Sequence, residues 1–222
     1  MLFALLLIIE IFILYLLSRR VTKKVHQFFY RLTKSEKWTN YLFAVFFLPG
    51  TFLHEVAHFL VALALLVPVG QLELMPEMEE KNRLKMGSVP VAKTDLIRRA
   101  AIGIAPFVLG LVLIFVSLAW VKSQNLFANY LIVILLGYLV FEVGNTMFAS
   151  AKDLEGAWVL LVGFLLIPLS LYVLGFRVSL DPASFLSSEL TALIKKANVF
   201  LLVPIIIDFV VISLLQFFTK PV

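Results

Sequence analysis

The sequence predicts an all-α integral membrane protein of about six transmembrane helices, and three observations predict it. Of its 222 residues 62% are hydrophobic and 15% charged, where soluble domains carry about a quarter charged. Six apolar segments recur, at about 1–17, 39–67, 97–121, 126–149, 157–175 and 197–218. Each is close to the roughly 20 residues that a helix needs to cross a hydrocarbon core. An alternating barrel pattern is absent, and lipid offers no water to exposed backbone groups, so the spans must be helical. The chain reads as one polytopic domain, 1–222, with a candidate core at 39–156.

The first segment, MLFALLLIIEIFILYLL, lacks the basic start and small-residue cleavage site of a signal peptide and is expected to stay as a span. SRRVTKKVHQFFYRLTKSEKW (18–38) follows with seven Lys or Arg and one Glu, which predicts a cytoplasmic position and an N-terminus outside. Strict alternation onward gives 11 basic residues inside and 8 outside. Phe28, Phe29, Tyr30 and Trp38 suit a segment lying along the headgroups, with His26 solvated there. The net charge of +5 fits attraction to anionic lipid. The basic residues flank spans instead of interleaving with aromatics, so the lipid bilayer is the expected partner and nucleic acid is not. A multi-pass place in the membrane follows, the cell membrane for a prokaryotic source. With no cysteine, disulfides and thiolate metal sites are excluded.

The long polar connection, 68–96, holds two stretches, 71–75 and 88–92, that alternate or are β-branched around turn formers and charge. They predict a short β-hairpin after the second span, its strands at an edge because Pro76 and Pro90 have no N–H to donate. Within 97–113, Ala101, Gly103, Ala105 and Gly110 permit close helix packing, and Pro106 permits a kink.

The stretch TFLHEVAHFLVAL (51–63) carries the chemistry. His54-Glu55-Val56-Ala57-His58 is an HExxH pattern, and residues four apart share one helix face, so both imidazoles can reach one metal ion. Neutral imidazole suits zinc, and Glu55 supplies a general base beside it. Each such group at mid-span costs about 2.5–3.5 kcal/mol, which makes three together hard to explain as drift. Catalytic zinc takes three protein ligands. With no cysteine, and His26 in the basic loop, the third should be a carboxylate from Glu10, Glu142, Asp153, Glu155 or Asp208.

Asn145 and Asp153, eight residues apart in GNTMFASAKDLEGAW (144–158), complete a resemblance to the site-2 protease family of intramembrane zinc metalloproteases. That family pairs HExxH with a later Asn-x-x-Pro and Leu-Asp-Gly. Here Phe148 stands for the proline, Lys152 for the leucine and Leu154 for the glycine, with Gly156 two positions on. The resemblance covers about 39 to 156. It implies Asp153 as third zinc ligand, Asn145 near the scissile bond, and an extended substrate added at the edge strands. Eight helical residues turn through about 800°, leaving the two side chains roughly 80° apart, in agreement. Glu142, deeper in its span, stays the rival ligand. Glu10 and Asp208 are read as polar glue or substrate-path residues.

The expected function is therefore hydrolysis of membrane-anchored protein substrates by zinc and Glu55, in a minimal core without accessory domains. The alternatives are a non-catalytic membrane scaffold or chaperone and a metal-ion transporter. One condition attaches: a straight second span puts His54 about 20 Å from its outer end. Asp153 meets it only if the fourth helix continues past 149 or Pro49-Gly50 breaks the second.

Overall fold

Leu, Ala, Arg, Lys and Gln recur through the first 33 residues with no Gly or Pro to interrupt them. In the computed structural model they form one helix, α1 (Leu2–Thr33). The basic stretch is thus the continuation of the first span, not a separate segment along the headgroups. A helix of 32 residues reaches about 48 Å, so its last turns project beyond a hydrocarbon layer of ~30 Å. Lys34, at φ 51°, ends it with its N–H on the Tyr30 carbonyl at 2.8 Å. His26 is not simply solvated: it meets Asn40 at 3.0 Å and the edge of the Phe43 ring, tying α1 to the next helix. The structure describes residues 2–71, 77–79, 83–85, 89–148 and 187–219, with 150, 153, 162, 166 and 170 between them.

The second apolar segment is broken. α2 (Glu36–Phe46) and α3 (Leu48–Ala64) meet at an angle of 64° across Phe47. Pro49 is tolerated because it falls in the first turn of α3, where its missing N–H has no partner to lose. Phe47 is 1% exposed and packs on Phe43, Phe46 and Phe141, which anchors the bend.

A break in an apolar environment leaves backbone groups that must find partners. α5 (Tyr130–Thr146) supplies them from one face, at i, i+4 and i+8. Tyr138 Oη donates to the Phe46 carbonyl at 2.8 Å, and the Gly50 N–H donates to Glu142 Oε2 at 3.1 Å. His54 Nδ1 then meets the Thr146 carbonyl at 2.6 Å. All three pairs are separated by 92 residues, so the two segments run parallel in a constant register across the bend. Gly50 is required by this approach: a Cβ there would sit 2.6 Å from Thr146 Oγ1 and 2.8 Å from the Glu142 carbonyl. Gly50→Ala should lower stability by about 1–3 kcal/mol, read as a fall in thermal midpoint in detergent; an unchanged midpoint contradicts the packing.

After α3 the chain makes a single bridge, Val69 to Val91, with Gly70 N–H on the Pro90 carbonyl at 2.7 Å and Ala92 N–H on the Pro68 carbonyl at 3.0 Å. Farther out, β1 (Glu77–Glu79) pairs antiparallel with β2 (Arg83–Lys85), Glu77 opposite Lys85. β1 and β2 therefore lie between the two stretches singled out in the sequence, while the bridge uses Val91 of the second stretch. Of these stretches, 72–75 and residue 88 lie outside the described residues, as does Pro76.

α4 (Leu96–Ser123) starts at Asp95, whose Oδ1 accepts the Arg98 N–H at 3.0 Å, and buries Pro106 within it. It packs on α3 and α5. α6 (Ser188–Thr219) runs parallel along α1: Asn198 Nδ2 donates to the Phe3 carbonyl at one end, and Arg31 donates to the Phe218 carbonyl at the other. Leu14, Ile114, Val140, Val143, Met147 and Leu201 form the buried core between α1, α4, α5 and α6. Among the described residues α1, α4 and α6 are long and apolar enough to cross a membrane, and α2 with α3 makes four if the bent pair is one span. α5, with 17 residues, spans about 26 Å. The expected span at 157–175 lies outside the described residues but for 162, 166 and 170.

Candidate metal centre

The i, i+4 spacing puts His54 and His58 on one face of α3, as the sequence requires. Their orientation is fixed by two backbone carbonyls. His54 Nδ1 is 2.6 Å from the Thr146 carbonyl on α5, and His58 Nδ1 is 2.8 Å from the Ile102 carbonyl on α4. A carbonyl only accepts, so each Nδ1 carries the proton, and in the neutral ring each Nε2 is left with a lone pair. The two Nε2 atoms face each other at 3.2 Å.

Asp153 closes the cluster. Its Oδ2 lies 3.7 Å from His54 Nε2 and its Oδ1 3.5 Å from His58 Nε2. The Ser150 N–H donates to Oδ2 at 2.7 Å, and the Asp153 N–H donates back to Ser150 Oγ at 3.3 Å. With both rings neutral, two imidazole nitrogens and the two oxygens of one carboxylate converge with no donor among them. A metal ion, or a proton on one of the imidazoles, would satisfy them.

Their spacing fits a metal ion. Tetrahedral bonds of roughly 2.0–2.2 Å to nitrogen and carboxylate oxygen set neighbouring donor atoms roughly 3.3–3.6 Å apart. The two imidazole nitrogens are 3.2 Å apart, each lies 3.5–3.7 Å from a different oxygen of Asp153, and one donor atom from each residue lies within 4.8 Å of the others. Among the described residues these three form the one His/Asp/Glu group able to hold a metal. Both Nδ1–H···carbonyl bonds are the outer support that metal-bound histidines use to fix tautomer and ring orientation.

Of the two ways the sequence left for Asp153 to reach His54, the bend is the one present: α5 stops at Thr146, and α3 starts anew at Leu48. Gly103 completes the approach. A Cβ there would overlap the Asp153 carbonyl oxygen, so only glycine lets the Asp153 backbone lie against α4. Gly103→Ala should push Asp153 away and weaken metal affinity by about 10–100-fold, as loss of outer support does. Competition against a chromophoric chelator measures this, and wild-type affinity in the variant contradicts it.

No protein-family model, curated protein or solved structure matches the chain. The site's own geometry therefore carries the functional reading.

Glu142 is not in the cluster: its fully buried carboxylate takes the Gly50 N–H and braces the bend. Glu55 borders a cleft of about 220 Å³, lined also by Phe43, Phe47, Thr51, His54 and Asn145. Val89, two residues from the Val91 bridge, lies beside the Glu55 carboxylate. Asn145 lines the same cleft while bonding to Asp208 at 2.7 Å. Lys152, Leu154, Glu155 and Gly156 lie outside the described residues. The carbonyls of Ile102 and Thr146 have no sequence signature, because every residue has one. Gly103 had a signal, as one small residue in a packing stripe.

Proposed function

We propose that this chain is an intramembrane zinc metalloendopeptidase, of the site-2 protease type, that hydrolyses peptide bonds of membrane-anchored protein substrates. It would act as a multi-pass membrane protein. The observation that carries this reading is the pair of imidazoles, each locked through Nδ1 to a carbonyl, with both Nε2 atoms and the Asp153 carboxylate turned on one point. Two histidines and one carboxylate suit zinc and leave a fourth position open.

Zinc, when bound, supplies Lewis acidity to polarise the scissile carbonyl and acidify water. The chain's own residues do the rest. His54, His58 and Asp153 would hold the ion. Glu55, at the cleft, takes a proton from the attacking water as its oxygen bonds to the carbonyl carbon, and returns that proton to the amine as the C–N bond breaks. Phe43 and Phe47 give the cleft an apolar wall beside Glu55. An extended substrate adds beside the Val69–Val91 bridge, where strand hydrogen bonding can hold an unwound backbone.

Purified chain in detergent, mixed with a panel of single-span reporter proteins, tests the proposal. Cleavage within or near the span, lost with 1,10-phenanthroline and regained with added zinc, supports it. Intact reporters together with metal flux in proteoliposomes would mean a transporter instead.

A further inference from the structure

Asn145 has a fixed amide. Its Nδ2 donates to the Phe141 carbonyl at 2.9 Å and to Asp208 Oδ1 at 2.7 Å, which uses both of its N–H groups. The remaining polar atom, Asn145 Oδ1, is buried without a partner, and so is Asp208 Oδ2. Asn145 is 7% exposed and lines the cleft beside His54 and Glu55, while Asp208, on α6, is wholly buried. The Phe141 carbonyl only accepts, so it selects the NH2 end of the amide and Asp208 Oδ1 receives the second N–H; the flipped amide would set oxygen against oxygen. An unpaired buried acceptor in a substrate cleft is a vacancy for a donor.

We infer, on the reading that the cleft receives an unwound peptide, that Asp208 is a positioning residue for Asn145. It holds the amide so that Oδ1 accepts one backbone N–H of the substrate strand beside the scissile bond. The specificity that follows is against proline at that substrate position, since proline has no N–H to offer. Glu142 Oε1 is also without a partner, but Glu142 does not line this cleft.

The test uses zinc-loaded full chain in detergent and three probes. Acetohydroxamate reports the metal alone. Acetyl-leucyl-leucine hydroxamate adds a peptide backbone, and its two singly N-methylated forms each delete one N–H. In wild type, one methylation should weaken binding about tenfold, the effect of one hydrogen bond to a buried acceptor. That penalty should vanish in Asn145→Leu and Asp208→Leu, and persist in Asp208→Asn, which still offers an oxygen to the amide. Acetohydroxamate should bind all four proteins alike, which a merely disturbed fold would not allow. Asp208→Ala replaces Asp208→Leu if the larger residue prevents folding. A penalty that survives in Asp208→Leu or Asp208→Ala, or no penalty in wild type, overturns the role of Asp208 while the peptidase reading stands. Failure of acetohydroxamate to bind wild type overturns both.

Discussion

Glu55→Gln is expected to reduce peptide hydrolysis by about 10²–10⁴-fold, the usual worth of a positioned general base, while zinc content stays at the wild-type value. The two halves of that expectation come from different atoms. Metal retention would depend on His54, His58 and Asp153, the group able to hold an ion, which the substitution does not touch. Hydrolysis depends on proton transfer at the cleft, and glutamine cannot accept a proton at neutral pH. Glutamine keeps the length of glutamate and still places an oxygen beside Val89, so the local structure should survive. Single-turnover cleavage beside elemental analysis of the same preparation reads both. Undiminished cleavage in the variant removes Glu55 from the mechanism. A scaffold would show no difference in any binding function.

Asp153→Ala and Glu142→Leu should part company just as sharply. Asp153→Ala removes a direct ligand and should weaken zinc binding by more than the ~100-fold that marks loss of outer support. Glu142→Leu should leave zinc in place but destabilise the fold by about 1–3 kcal/mol, because the Gly50 N–H at the bend loses its acceptor. The expected signatures are therefore metal loss at a near-normal thermal midpoint for the first, and a lowered midpoint with full metal for the second. The opposite pattern would make Glu142 the third ligand.

The metal pair was legible because α-helical periodicity alone puts His54 above His58. Asp153 was legible only through its spacing from Asn145 and a family resemblance, since nothing local distinguishes it from Glu155 two positions away. What brings it to the histidines is tertiary: a bend at Phe47, braced from α5, and Gly103 on α4. Pro49-Gly50 signalled that bend, and the helix boundary falls just before the proline, as its missing N–H favours. Glu142 stood as a rival ligand because a buried acid in a span looks alike in sequence whether it faces a cation or a backbone N–H; in the structure it takes the Gly50 N–H outside the cluster. Asp208 could not be linked to Asn145 from sequence, 63 residues apart and with no motif around it. The basic stretch after the first span was read as a headgroup segment from its charge and aromatics. Uninterrupted helix formers decided otherwise, and α1 simply extends through it.

The most direct measurement is elemental analysis of wild-type chain purified in mild detergent without added metal. The account predicts about one zinc ion per chain, falling toward zero in His54→Ala and Asp153→Ala. Wild-type chain that retains no divalent metal, even after incubation with micromolar zinc, would contradict it.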